Sequence, residues 1–363
     1  MNPQFWAGKR VFLTGHTGFK GSWLSLWLQS MGANVTGFSL LPPTTPNLFE
    51  VAHVADGMQS IMGDVRNLAD LQKAMVDAKP EVVIHMAAQA LVRHSYDNPV
   101  ETYSTNVMGT VHLLEAVRGT PSVKAVLNVT SDKCYENREW VWGYRENEPM
   151  GGFDPYSNSK GCAELVTSAY RNSYFHKTKH TEHGVALATG RAGNVIGGGD
   201  WAEDRLIPDV MRAIAQGRPV SIRSPNAIRP WQHVLEPLRG YLMLAERLCT
   251  GGADYAEGWN FGPNEIDVKS VAWIVNTLSG QWGSGTTWSL DGVEHPHEAA
   301  YLKLDISKVR TKLGWSPMLN LTQGLQMIVD WYREYKNKSD MREVTIKQIA
   351  AYSDLCAERV ENI

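Results

Sequence analysis

The sequence predicts an α/β protein: a doubly wound parallel sheet followed by a smaller, mostly helical domain. Three observations predict it. Short apolar runs alternate with amphipathic segments through the first half of the chain. A glycine-spaced loop, LTGHTGFKGSWL (13–24), falls where the first apolar run meets the first amphipathic segment. Beyond residue 195 the apolar runs give way to helical patterns broken by glycine and proline.

The candidate strands, in order, are KRVFLTG (9–15), NVTGFS (34–39), EVVIHMAA (81–88), KAVLNVTS (124–131) and GVALATGRAGNV (184–195). Each is short, apolar and bounded by Gly, Pro or polar residues, as strands covered on both faces tend to be. Helices are predicted between them at 20–33, where Leu24, Leu28 and Met31 recur at helical spacing, and at 67–78, 100–118 and 156–175. The second half predicts helices at 206–217, 233–250, 268–279 and 321–336, and the polar segment after 336 reads as a surface helix. The expected boundary gives a nucleotide domain over 1–193, completed by part of 220–262, and a substrate domain over 194–363.

With 363 residues, 43% hydrophobic and 20% charged, the chain suits a large core and about two domains. A formal charge of −3 argues against the clustered basic surface that nucleic acid requires. The opening MNPQFWAGKR has no signal-peptide run and no stretch approaches a membrane span, so no membrane partner is expected. Cys134, Cys162, Cys249 and Cys356 show no paired spacing, which suits reduced thiols in the cytoplasm. The 13 tryptophans are expected in the core and along grooves. His176, His180 and His183 recur at helical spacing but lack a carboxylate or Cys partner, so no metal is expected.

Gly15, Gly18 and Gly21 follow G-x-x-G-x-x-G. Glycine permits the tight turn and lets the backbone approach a pyrophosphate at a helix N-terminus. Between a strand and a helix, this loop predicts a dinucleotide site of Rossmann type, with Thr17, Phe19 and Lys20 beside the glycines as cofactor residues. The carboxylate that usually holds the adenosine ribose about 20 residues on is missing. Phe38, Ser39 and Leu40 stand there instead, with no Arg or Lys for a 2′-phosphate. NAD is therefore expected over NADP, loosely held, with Ser39 in the acid's place.

FDPYSNSKGCAELV (153–166) predicts a helix capped by Asp154 and opened by Pro155. Tyr156 and Lys160, four residues apart, then share a face. A phenol's reference pKa of ~10 is too high for a base at neutral pH, and a neighbouring ammonium lowers it. Such a pair suits removal of a sugar hydroxyl's proton while hydride leaves for a nicotinamide. NVTSDKCYEN (128–137) puts Ser131, Asp132 and Lys133 where a buried strand surfaces.

The glycine loop, HMAAQ (85–89), TNVMGT (105–110), the strand ending at Ser131, and Tyr156-x-x-x-Lys160 occur in this order. Together they resemble the extended short-chain dehydrogenase/reductase family over essentially the whole chain. The likeness runs to its nucleotide-sugar 4,6-dehydratases, and SDKCYEN and RPWQHV resemble the branch acting on CDP-glucose. The resemblance implies homodimers or homotetramers paired through helices such as 100–118 and 156–175. It implies oxidation at C4 of the hexose, loss of water across C5 and C6, and hydride return to C6, in deoxysugar synthesis. In that scheme Ser131 contacts O4, Tyr156 is the base, Lys160 supports it, and Asp132 protonates the departing C6 hydroxyl. Where the dTDP- and GDP-sugar branches carry Glu, this chain has Lys133. A neutral Lys133 would take the C5 proton, which needs a depressed pKa; a charged one would stabilise the enolate. The base role is preferred here and the other stays open.

By resemblance, too, Asp64 and Val65 hold adenine, Ala87, Ala88 and Thr105 line the cofactor, and Gln89 and His94 reach the sugar or its phosphates. Asn194, Arg205, Arg229, Asn260 and Tyr301 match substrate positions. Arginine suits a diphosphate because its planar fork pairs with two oxygens. HEAAY (297–301) lacks the Arg that commonly precedes the Tyr. Three rivals stand against this reading. A 4-epimerase on the same scaffold needs no acid–base pair beside the strand. A 4,6-dehydratase on another nucleotide sugar, such as a UDP-amino sugar, also fits Asp-Lys. A non-catalytic NAD-binding regulator often lacks the Tyr kept here.

Overall fold

Seven strands form one all-parallel sheet in this computed structural model, which describes residues 1–283, 285–292 and 301–361. In chain order they are β1 (Arg10–Thr14), β2 (Asn34–Ser39), β3 (Gln59–Met62), β4 (Val82–His85), β5 (Ala125–Val129), β6 (Ala186–Ala192) and β7 (Gly258–Phe261). Across the sheet they run β7-β6-β5-β4-β1-β2-β3. The order reverses between β1 and β4, and ligands of such sheets collect beyond the strand ends at that point.

β4, β5 and β6 are buried at every position, which is why they read as mostly apolar runs. β3 and β7 are edge strands that the apolar pattern does not single out. QSIM has no continuous apolar run and sits half exposed, and GWNF enters the sheet from far along the chain.

The helix Phe19–Ser30 differs from the amphipathic one expected: every residue from Gly21 to Leu28 is buried. The sheet covers one side, and the C-terminal helix Met341–Glu361 packs on the other. That segment is therefore no free surface helix. It buries Met341, Thr345, Ile349 and Tyr352 along one face, and the Tyr352 ring meets Trp27 edge-on at 5.8 Å. The Tyr352 hydroxyl donates to Glu236 Oε2 at 2.7 Å and so locks the helix to Leu235–Gly251. Trp6, Trp23, Trp27, Trp259, Trp315 and Trp331 are fully buried, and truncating one to Ala would cost about 3–5 kcal/mol. Trp142 departs from that pattern and stands in solvent.

The expected helix over 100–118 is Pro99–Tyr103 and Gly109–Arg118 joined by a π-helical turn, Ser104–Met108. The second half supplies helices Leu206–Ala215, Leu235–Gly251, Val271–Trp282 and Leu321–Lys336. Among the described residues no helix is long and apolar enough to cross a membrane.

Candidate active site

The glycine loop is needed for close backbone approach. Gly15 has φ 78°, and a Cβ there would lie 2.7 Å from Ala87 N; one at Gly21 would lie 2.0 Å from Gly15 O. Gly18 caps the helix with no side-chain bond, so the helix N-terminus keeps its donors for an anion. Thr17 donates to Leu40 O at 2.9 Å, which leaves Ser39 as donor in their 2.8 Å hydroxyl contact. With its proton so used, Ser39 has only lone pairs for a ribose, a weaker grip than a carboxylate.

Asp64 and Val65 follow β3. The Asp64 carboxylate is gripped by Arg66, with Nη2 at 2.6 Å from Oδ2, and that bond holds its pKa below the usual range. Val65 packs beneath Gly109, where a Cβ would meet it at 2.9 Å. Ala87 and Ala88 lie in the loop after β4, and Thr105 lies in the π turn. Next to Thr105, Asn106 stitches these pieces together: it accepts from Gln89 N and donates to Gln89 O and Ser159 Oγ, each at 2.9 Å.

The helix Pro155–Ser173 starts as its sequence predicts, with Asp154 Oδ1 accepting from Ser157 N at 2.8 Å and Pro155 in first position. Ser131, Asp132, Lys133 and Tyr156 then line a cavity of about 310 Å³ beyond β5 and β6. That volume lies within the range of small-molecule sites. Phe19, Lys20, Asn194, Arg205 and Arg229 line the same cavity, as do Arg93, Tyr96, Asp200, Asp204 and Arg223.

Four expected substrate residues lie elsewhere. Gln89 is tied down by its neighbours, donating to Leu91 O at 3.1 Å and to Thr102 Oγ1 at 2.9 Å. His94 pairs with Glu101 at 2.9 Å on the surface. Asn260 is fully buried, accepting from the Tyr135 hydroxyl at 2.7 Å and donating to Tyr144 O at 2.8 Å. Tyr301 bridges to Ile228 and stacks under the Lys303 ammonium at 5.2 Å, and the residues before it, 297–300, lie outside the described residues.

Ser131 donates to Asp132 Oδ1 at 2.9 Å, and its hydroxyl acts on the Tyr156 phenol to lower its pKa. Asp132 is 2% exposed, and its Oδ2 has no hydrogen-bond partner among the described residues. A Cβ at Gly193 would stand 3.0 Å from that oxygen, so glycine keeps the space beside it open. The Lys133 side chain makes no hydrogen bond or ion pair among the described residues.

The phenol departs from expectation. Burial pushes Tyr156 up to about 12, and the Ser131 bond and the Arg205 charge only partly offset it. Burial also lowers Lys160 to about 8, against the upward pull of the Glu164 carboxylate. Lys20 is lowered to about 7 by burial, with the Lys160 and Arg205 charges adding and Asp132 opposing.

Sequence reasoning missed Arg93, Arg223 and Asp204. Arg93 Nη1 meets Asp204 Oδ1 at 3.0 Å and Arg223 Nη2 meets it at 3.6 Å, while Arg205 pairs with Asp200 at 3.0 Å. Arg223 opens the stretch RSPNAIRPWQ (223–232), in which no spacing marks its direction. The arrangement thus gathers a phenol, a hydroxyl, a carboxyl, an amine and several arginines around one cavity. It can move protons on a polyol whose anionic tail the arginines hold.

Comparison with known proteins agrees with that chemistry. The family model described as GDP-mannose 4,6 dehydratase matches residues 12–328. The chain is 59% identical over 352 residues to a CDP-glucose 4,6-dehydratase of Salmonella typhimurium, covering 97% of this chain and 98% of that one. In fold it resembles a UDP-glucose 4-epimerase from Thermotoga maritima, with TM-score 0.78 and 22% identity over 90% of this chain and 99% of that one. It also resembles a dTDP-glucose 4,6-dehydratase variant from Streptomyces venezuelae with NAD bound, with TM-score 0.76 and 23% identity over 92% and 99%. Family match and near full-length identity together settle the kinship: the chain belongs to the GDP-mannose 4,6-dehydratase family of nucleotide-sugar enzymes.

Proposed function

We propose that this protein is a hydro-lyase that removes water from CDP-glucose, with NAD as cofactor, to give CDP-4-keto-6-deoxy-glucose. The observation that carries the reading is the unpartnered Asp132 Oδ2 on the cavity wall beside Ser131. Elimination needs such an acid and C4 epimerisation does not. The 59% identity to a CDP-glucose enzyme supports the choice of base.

The loop fits NAD because its glycines leave a cradle that a Cβ at Gly15 or Gly21 would fill with a backbone clash. Gly15, Thr17, Gly18, Phe19, Lys20 and Gly21 would hold the pyrophosphate, Ser39 the adenosine ribose, and Asp64 and Val65 the adenine. Ala87, Ala88, Thr105, Tyr156 and Lys160 would hold the nicotinamide half. When bound, NAD accepts hydride from the sugar's C4 and returns one to C6.

The chain's own residues move the protons. Ser131 holds O4 and Tyr156 takes its proton, with the Lys160 ammonium stabilising the phenolate. The resulting C4 carbonyl acidifies C5–H, and Lys133 takes that proton. The electron pair forms the C5–C6 double bond as the C6–O bond breaks, Asp132 gives its proton so that water leaves, and Lys133 returns its proton to C5 when C6 is reduced. Asn194, Arg205 and Arg229 hold the diphosphate side.

Purified protein with NAD and CDP-, dTDP-, UDP- and GDP-glucose, followed by mass spectrometry, tests this. Loss of one water from CDP-glucose alone is expected. Water loss only from another sugar would refute the base, and an altered sugar of unchanged mass would make the protein an epimerase.

Val100, Tyr103, Met108 and Leu165 stand exposed on the helices Pro99–Tyr103 and Pro155–Ser173 and in the π turn Ser104–Met108. We take this face as the contact of a homodimer, alone or within a tetramer. Light scattering of Val100→Glu/Leu165→Glu should report a smaller species than wild type. Four unpaired cysteines suit the reducing cytoplasm, which cell fractionation would check.

A further inference from the structure

One turn beyond Lys160 on the same buried helical face lies Glu164, a carboxylate 5% exposed that the reaction scheme does not use. Its Oε1 accepts from Thr130 Oγ1 at 2.5 Å and from Arg191 Nε at 2.8 Å. Its Oε2 accepts from Thr189 Oγ1 and Arg191 Nη2, both at 2.8 Å. All its strong acceptor directions are thus met by two strands, β5 extended by Thr130 and β6. Arg191 Nη1 continues the chain to the Tyr135 hydroxyl at 2.7 Å and to Glu146 O at 3.0 Å.

Thr130 is bonded to Ser131, and Tyr135 closes the turn that carries Asp132 and Lys133. The network therefore clamps the helix bearing Tyr156 and Lys160 to the strand end bearing Ser131. A core of this size needs no buried ion pair for stability, since an apolar replacement of such a pair is often neutral or better. The groups facing Lys160 are Glu164 on its own helix, Cys134 in the turn, His85 on β4 and Lys20 across the cavity. Burial drives Lys160 toward neutrality, His85 is held neutral by its own burial, and Cys134 is pushed up as a thiol. Glu164, held ionised by Arg191 and two threonine hydroxyls against the pull of burial, is then the anion that opposes it.

We propose that the buried Glu164–Arg191 pair is a positioning device for the catalytic pair: it keeps Lys160 a cation and fixes its helix against the Ser131 strand. The inference rests on the proposed dehydratase reading. In this role Glu164 touches neither substrate nor cofactor and acts through Lys160.

The test is the pH profile of kcat/KM for CDP-glucose with saturating NAD, alongside thermal unfolding. Loss of the Lys160 proton should set the alkaline limb, and Lys160→Arg, which does not titrate there, should remove that limb. Glu164→Gln should move the limb down by about one to two pH units and leave the acid limb in place. Glu164→Gln/Arg191→Met, which removes both buried charges, should move it the same way even if the single variant does not fold. Glu164→Asp keeps the charge but retracts it, and should move the limb least. A uniform loss of rate with an unmoved limb in folded Glu164→Gln or Glu164→Gln/Arg191→Met would overturn the proposal and leave the pair a structural clamp. Wild-type turnover is read first. Its absence overturns the functional reading and this inference together, whereas turnover with an unmoved limb overturns this inference alone.

Discussion

Two parts of the cavity lining are built on opposite physical terms. On the strand side, Ser131, Asp132, Tyr156 and Lys160 are all buried, and Glu164 and Arg191 tie them together from behind. Elsewhere in the lining, Arg93 and Arg223 converge on Asp204, whose side chain is 44% exposed. Breaking a buried charge pair costs about 3–5 kcal/mol, while an exposed pair is worth about 0–1 kcal/mol. The first part therefore holds its atoms in place, and the second can exchange a carboxylate for a phosphate at little cost. Proton transfer demands fixed distances, and capture of a flexible anion demands charges that can be re-paired.

That contrast can be broken experimentally, starting at the rigid part. Tyr156→Phe should lower kcat about 10³-fold with KM little changed, because it removes only the proton acceptor. A loss under tenfold would mean that another group serves as base. Asp132→Asn, which keeps shape but cannot give a proton, should slow water loss about 10²-fold in the mass-spectrometric assay. Retained water loss would move the acid role elsewhere.

At the exchangeable part the effects should be smaller and fall on binding. Arg223→Ala should raise KM for CDP-glucose about tenfold with kcat within a factor of two, as loss of one charge-assisted contact would. A fall in kcat instead would show that this part is also rigid. Asp204→Asn should be mildest, changing KM by about threefold or less, since it removes only an exposed ionic partner. Should it abolish activity, Asp204 would have to hold the cavity open rather than merely occupy its arginines.

Much of the sheet was legible because its central strands are covered on both faces and so read as apolar runs. The edges were not, because β3 has a mixed pattern and β7 is only GWNF, four residues that could serve as any turn. Amphipathic spacing also misled at Phe19–Ser30, where a second helix covers the side that should have been wet. At the site, the segments around Ser131 and Tyr156 were legible because each is local: a strand end and a capped helix. Arg93 and Arg223 were not, because their meeting at Asp204 depends on three separate segments. The phenol's upward shift was invisible too, since burial belongs to the folded molecule and not to Tyr-x-x-x-Lys spacing.

The strand β7 has a consequence for how the chain is made. It pairs with β6 from residues 258 to 261, so a growing polypeptide that has delivered β6 still lacks the cover for that edge. An open row of backbone donors and acceptors invites pairing with other chains. At about 5–20 residues per second of synthesis, the gap between the two strands lasts several seconds. A gene cut after residue 193 would make the exposure permanent, so truncated products should collect in the insoluble fraction even though they contain the whole glycine loop and the tyrosine helix.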